Sequence, residues 1–94
     1  MIVSFRSKAL ERFWVKGERK HIAADQITRL TERLAYLNDA KKPDDMNVAG
    51  WRFHALTGTD AGRYSVRVTA NWRLTFGWSA TGADAIDVDF QDYH

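Results

Sequence analysis

Two segments within the first 40 positions carry apolar residues at the spacing of an amphipathic helix. The first segment begins near Ser7 and ends at Gly17, and its apolar positions are Leu10, Phe13 and Trp14. The second begins at about Asp25, and its apolar stripe is formed by Ile27, Leu30, Leu34 and Leu37. Steps of three and four residues put such positions on one helix face. The pattern therefore predicts two helices, preceded by a short apolar strand, MIVSF.

From position 50 onward the apolar period becomes two, which is typical of strands with one buried face. The alternating segments are GWRFHAL, RYSVRVT, NWRLTFGW and DAIDVDF. Their connections, TGTDAG, TAN and SATGA, are short enough for hairpins, so most of the sheet should be antiparallel. We predict one α+β domain over residues 1–94. Its apolar strand faces should pack against the two N-terminal helices on one side of the sheet.

The opposite face of this sheet is expected to be polar and open to solvent. The residues that alternate with the apolar positions are Arg52, His54, Arg63, Ser65, Arg67, Arg73 and Thr75. A solvated face of an antiparallel sheet is polar in any case. However, β-propensity alone would favour Thr or Val over Arg and His in middle strands. The pattern thus leaves open whether this face is a plain solvated surface or a site.

Composition limits the class of protein. A content of 45% hydrophobic residues indicates a folded chain, because a disordered segment has fewer groups to bury. The absence of cysteine excludes disulfides and thiolate metal sites. No apolar run approaches the ~20 residues that span a bilayer, and no signal-peptide pattern is present. A soluble, cytoplasmic protein without membrane contact is expected.

The charges favour a phosphate-containing partner without requiring one. Nine of the fourteen basic residues are arginine, and eight bases face four acids between Met1 and Leu37. A guanidinium donates two parallel hydrogen bonds to phosphate oxygens. The net charge of only +2 is equally compatible with an ordinary surface of mixed charge.

The sequence ends in DFQDYH, which brings an acid, a phenol and an imidazole together. Phe90, the last apolar position of its strand, would hold Asp92, Tyr93 and His94 near the sheet. If they lie beside His54 and the arginines, the set supplies the proton acceptor, proton donor and positive charge needed to cleave RNA through its own 2′-hydroxyl. A disordered chain end, a structural or idle His54, and a His/Asp/His metal site are the competing interpretations.

The order and length of several segments resemble HigB-type toxins of the RelE/ParE superfamily. These segments are MIVSFRSKALERFW, WRFHALTG, GRYSVRVTANWRLTFGW and DVDFQDYH, and the resemblance spans essentially the whole chain. It implies a RelE-like fold and a ribosome-dependent endoribonuclease that cuts mRNA in the A site without a cofactor or metal. It also implies a HigA-type helix-turn-helix antitoxin, with operator DNA contacted only through the complex.

The resemblance assigns roles to individual residues. The positions that match the family's active site are His54, Arg73, Asp92, Tyr93 and His94. Arg73 would stabilise the scissile phosphate, and Tyr93 would position or stack on a nucleotide, while the two imidazoles and the carboxylate would share proton transfer. Further candidates for RNA contacts are Arg52, Arg63 and Arg67. Thr57 stands where family members often have lysine, which removes one positive contact.

Two other functional classes fit the same fold. A ParE-like toxin would inhibit a cellular target such as gyrase without catalysis, and would have no need for His54 or a terminal Asp-Tyr-His. A basic RNA-binding module without toxicity is disfavoured by the acidic last strand, which would repel phosphate. The imidazoles favour the nuclease.

Overall fold

The computed structural model describes residues 1–93. Helix α1 (Lys8–Lys16) begins after Ser7, whose hydroxyl accepts a hydrogen bond from the Leu10 N–H at 3.1 Å. It ends at Gly17, where φ is 72°, and a residue without Cβ adopts this left-handed conformation at little cost. Helix α2 (Ile27–Asp39) follows a short 3-10 turn. Both helices confirm the predicted positions.

Four strands form one antiparallel sheet in sequence order. They are β1 (His54–Ala55), β2 (Arg63–Arg67), β3 (Trp72–Trp78) and β4 (Ala85–Asp92). Within residues 1–93, no helix has the length and apolar content of a membrane span. The α+β prediction with a mostly antiparallel sheet is confirmed.

The predicted first strand, MIVSF, forms isolated bridges instead of a regular strand. Ile2 and Phe5 pair in parallel with Ala85 and Val88 of β4. The Ile2 N–H also donates to Asn38 Oδ1 at 3.0 Å, which ties this segment to α2. The segment therefore extends the sheet edge, and its pairing is the parallel exception in an otherwise antiparallel arrangement.

The predicted strand GWRFHAL is also shorter than expected. Only His54 and Ala55 pair with β2, and both side chains are exposed. Arg52 has φ of 52°, a left-handed conformation that interrupts extended backbone. Trp51 on the other side of this break is buried in the core.

The core lies between the helices and one face of the sheet, as the alternation predicts. Residues with no exposed surface come from both layers, and they include Leu10, Leu30, Leu34, Leu37, Val66, Leu74, Phe76 and Val88. Burying one such side chain contributes about 1.5–3 kcal/mol. The two helices therefore hold the sheet rigid from one side and leave the other side to polar residues.

The prediction that the opposite sheet face is open is wrong for its centre. Ser65 and Thr75 have no exposed surface, and Arg63 is only 9% exposed. Arg63 Nη2 donates to Thr75 Oγ1 at 3.0 Å, and the Thr75 hydroxyl donates to Gln91 Oε1 at 2.9 Å. Long polar side chains cover this centre, because arginine stems bury their methylenes while satisfying their head groups. What remains accessible is the end of the face toward the β2–β3 turn.

Candidate active site

Three neighbouring strands present the central candidates on one face. In the register, His54 of β1 pairs with Ser65, and Arg67 of β2 pairs with Arg73 of β3. Paired residues share a face, and so do residues two apart along a strand. His54, Arg67 and Arg73 therefore lie on the face opposite the helices. Adjacent strands are about 4.8 Å apart, so the three backbones span roughly 10 Å.

The imidazole of His54 is held in one tautomer. Its Nδ1 lies 2.9 Å from the carbonyl oxygen of Arg52. A carbonyl oxygen only accepts hydrogen bonds, so Nδ1 carries the proton in the neutral ring. The lone pair is then on Nε2. Because the His54 side chain is exposed, Nε2 is available as a proton acceptor.

The carbonyl that orients His54 belongs to a residue with unusual backbone geometry. Arg52 has φ of 52°, which costs a residue with a Cβ about 1–2 kcal/mol. The hydrogen bond to His54 follows two residues later along the chain. The strained position and the imidazole are thus directly linked.

Arg73 is fixed by backbone carbonyls at the β2–β3 turn. Its Nη1 lies 3.1 Å from the oxygen of Thr69 and 3.2 Å from those of Ala70 and Trp72. Its Cζ also lies 5.9 Å from the ring centroid of Tyr93. These contacts orient the guanidinium without neutralising it. Arg73 forms no ion pair with any carboxylate in residues 1–93.

The end of β4 brings Tyr93 to this place. The Tyr93 N–H donates to the carbonyl of Asn71, so the backbone beyond the strand is still held against the turn. The phenol ring is 37% exposed beside Arg73, which leaves area for contact with a base. The structure therefore brings Arg73 and Tyr93 together.

Asp92 is not brought onto the Arg73 face. It pairs with Trp72, whose ring lies 4.6 Å from that of Phe90, and strand alternation assigns Asp92 to this helix-facing side. Its side chain is exposed and takes part in an interaction at the end of β4. His94 lies outside the described residues, so its predicted role stays a prediction.

The three arginines predicted to contact RNA differ in exposure. Arg67 is partly exposed, and its Nε donates to the Thr69 carbonyl at 3.4 Å. Arg52 is exposed. Arg63 is nearly buried, and the pKa of its guanidinium is lowered chiefly by burial and further by the charge of Arg6. An RNA phosphate can therefore reach Arg52 and Arg67, whereas Arg63 serves the internal hydrogen-bond network.

Several relevant residues escaped the sequence analysis. Arg33 is only 7% exposed, although it lies among the apolar positions of α2, and its Nε donates to the Arg67 carbonyl at 3.0 Å. A charge within an apolar stripe was the available signal. The left-handed backbone of Arg52 and the carbonyl of Asn71 gave no signal, because they act through main-chain atoms.

The metal alternative gains no support from the part of the chain between residues 1 and 93. Within it, no group of three or more His, Asp or Glu side chains is arranged to hold an ion. The predicted His/Asp/His set includes His94, which lies outside that part, so the alternative remains open.

Solved structures with similar folds define the class of protein. The chain superposes on a YoeB/ParE toxin from Agrobacterium tumefaciens with a TM-score of 0.59 at 19% identity, covering 96% of both chains. It also matches a YoeB-YefM complex from Staphylococcus aureus with a TM-score of 0.59 at 13% identity, covering 100% of this chain and 98% of that one. At these identities the likeness establishes the fold, which is that of a small toxin.

Sequence comparison identifies the family. The profile for the RelE-like toxin HigB of type II toxin-antitoxin systems matches residues 3–94. The chain is 33% identical to Endoribonuclease HigB of Proteus vulgaris over 94 residues, covering both proteins completely. It is 32% identical over 80 residues to Toxin HigB-1 of Vibrio cholerae serotype O1, covering 83% and 84% of the two chains. The chain belongs to the HigB-like toxin family, as the resemblance of its segments indicated.

Proposed function

We propose that this toxin is an endoribonuclease that cleaves mRNA in the A site of the ribosome by acid–base chemistry without a metal. The observation that carries the proposal is the pairing of an oriented imidazole with an unneutralised guanidinium on one sheet face. The full-length similarity to a protein named as an endoribonuclease supports it. A ribosomal target requires that the protein act in the cytoplasm.

The chemical step uses the RNA's own 2′-hydroxyl. His54 Nε2 accepts the hydroxyl proton, the 2′-oxygen forms a bond to phosphorus, and the bond from phosphorus to the 5′-oxygen breaks. Arg73 stabilises the added negative charge of the phosphorane, and Tyr93 stacks on a neighbouring base. A second proton donor, for which His94 is the candidate, protonates the leaving 5′-oxygen. The products are a 2′,3′-cyclic phosphate and a free 5′-hydroxyl.

Primer extension on cellular mRNA after brief induction tests the reaction, and ribosomes programmed with a defined message test its chemistry. A single 2′-deoxy substitution at the mapped cleavage site should abolish cutting there, because the nucleophile is absent. Attack by a metal-bound water would still cut the deoxy message and would refute this mechanism. Growth arrest that survives His54→Ala without mRNA cleavage would instead support the non-enzymatic inhibitor of a target such as gyrase.

We further propose that a helix-turn-helix antitoxin encoded beside this gene neutralises the toxin, and that operator DNA is bound through the complex. The membership of the chain in a toxin–antitoxin family supports an antitoxin partner, and one structural relative is a YoeB-YefM complex. Co-expression of the neighbouring small reading frame should restore growth. Continued arrest in the presence of that protein would show that the pairing is wrong.

A further inference from the structure

A pocket of about 390 Å³ lies beside the candidate active site and has no role in the chemistry proposed above. It opens between α2, the segment 49–51 and the end of β2. The residues that give it its character are Arg29, Glu32, Arg33, Gly50, Trp51 and Arg67. Arg67 also belongs to the active-site face, where it lies opposite Arg73. The pocket and the site are therefore adjacent.

Arg33 forms the inner wall of this pocket. Its guanidinium lies 4.5 Å from the ring centroid of Trp51, and its Nε donates to the Arg67 carbonyl at 3.0 Å. Its Nη1 contacts Glu32 at 2.8 Å. Burial lowers the pKa of Arg33, but an arginine remains charged at neutral pH. Packing on the indole and the hydrogen bonds hold this charge in one position.

The charge of the pocket is unbalanced. Three arginines and one glutamate line it, and the glutamate is already paired with Arg33. The structural role of Arg33 in joining α2 to β2 does not account for Arg29. The Arg29 side chain is exposed and forms no hydrogen bond or ion pair within residues 1–93. Two positive charges therefore remain for an external anion.

A second pocket shows that this charge is specific to one side of α2. The pocket of about 490 Å³ formed by Ala35, Tyr36, Asp39, Ala40 and Asp45 has two carboxylates and no basic residue. It would repel phosphate. The two pockets are built on the same helix, so the cluster of arginines is a local feature and not a general property of the surface.

We propose that the pocket formed by Arg29, Arg33, Trp51 and Arg67 binds a phosphate of RNA and so holds the chain that crosses the active-site face. This inference rests on the proposed function and extends it by a second contact point. Phosphate suits the pocket because guanidinium groups from different directions donate to its oxygens. The phosphate belongs either to the mRNA beside the cleaved nucleotide or to ribosomal RNA.

Binding measurements separate this role from catalysis. A fluorescent 2′-O-methyl oligonucleotide, which cannot be cleaved, is titrated with the intact protein and variants at several salt concentrations. In a second arm, the same proteins are sedimented with ribosomes. The test variant is Arg29→Ala, and Arg29→Lys restores the charge. The matched control is Arg19→Ala, which removes an exposed arginine that does not line the pocket.

We expect Arg29→Ala to weaken binding roughly fivefold or more in at least one arm and to lower the salt slope by about one. Arg29→Lys should recover most of the affinity, and Arg19→Ala should bind nearly as the intact protein does. A loss in the oligonucleotide arm assigns the phosphate to mRNA, and a loss only with ribosomes assigns it to ribosomal RNA. Thermal melts verify that each variant is folded.

The proposal is overturned if Arg29→Ala and Arg19→Ala behave alike in both arms, or if the intact protein binds RNA in neither. Failure of the proposed function has a different signature. In that case the intact protein yields no 2′,3′-cyclic phosphate from programmed ribosomes, while Arg29→Ala still weakens binding. The two proposals can therefore fail independently.

Discussion

Arg63 and Arg67 lie four residues apart on the same face of β2, yet their surroundings differ. Arg63 is nearly buried and donates to Thr75 Oγ1. The carboxylates that favour its charge come from Asp60, Asp87 and Asp89. Arg67 is partly exposed and has only the carbonyl of Thr69 as a hydrogen-bond acceptor within residues 1–93. The first arginine is compensated by the protein, whereas the second is not.

The register adds to the contrast, since Arg67 lies directly opposite Arg73. Like charges at opposite positions of a sheet destabilise it. Neither guanidinium forms an ion pair within residues 1–93, so the fold tolerates this repulsion without relieving it. The difference teaches that one sheet face has two parts: a centre that supports the sheet and an end that suits an external phosphate.

Substitution of His94 tests the functional end with the largest expected effect. His94→Gln keeps a polar side chain of similar size but cannot carry a proton at neutral pH, so cleavage should fall by about 10²–10⁴-fold. Removal of residues 93–94 should be as severe while changing stability by no more than about 0.5 kcal/mol, since β4 ends at Asp92. Cleavage by programmed ribosomes and thermal melts provide both numbers. Intact activity in the truncated protein would exclude these residues from the site.

Arg73→Ala addresses the charge that the protein leaves uncompensated. Loss of one preorganised donor to the phosphorane should cost roughly 2–4 kcal/mol of transition-state stabilisation. The fold should persist, because the alanine keeps the strand and also removes the repulsion with Arg67. Toxicity should disappear, while the far-UV spectrum and melting cooperativity stay unchanged. Full toxicity would mean that Arg73 is not the phosphate ligand.

Arg63→Met is the reciprocal test in the supporting centre. Methionine fills much of the same volume but leaves the Thr75–Gln91 pair without its charged donor, so stability should fall by about 1–3 kcal/mol. Activity per folded molecule should stay within a few-fold of the intact protein. Urea unfolding and cleavage assays measure the two quantities. A folded variant with the activity loss expected for Arg73→Ala would break the division between centre and end.

The sequence predicted the helix-facing half of the molecule well, because hydrophobic periodicity reports which residues leave water. Leu30, Leu34 and Leu37 formed a regular stripe, and all three are fully buried. The polar half was predicted less well. Alternation placed Arg63 and Arg67 on one face but contained no information on how neighbouring side chains cover one and expose the other.

Main-chain chemistry at the site could not be predicted for a different reason. Arg52 reads as an ordinary strand residue, and nothing in its side chain signals a left-handed conformation. The family resemblance named His54 but did not give its tautomer, which depends on the carbonyl of Arg52. Information of this kind exists only in the folded backbone.

The smallest expected effect comes from a pair of substitutions at Arg52. Both Arg52→Gly and Arg52→Val remove the guanidinium, but only glycine accepts φ near 52° without strain. Valine should therefore be less stable than glycine by roughly 1–2 kcal/mol and should move the carbonyl away from His54 Nδ1. In ¹⁵N spectra of the neutral imidazoles, the intact protein and Arg52→Gly should show His54 protonated on Nδ1, and Arg52→Val should show a mixture. His21, which is exposed and forms no hydrogen bond within residues 1–93, supplies an unconstrained ring in the same spectra. Identical His54 spectra for the two variants would show that the backbone of Arg52 does not set the tautomer, and any loss of cleavage shared by both would then belong to the missing guanidinium.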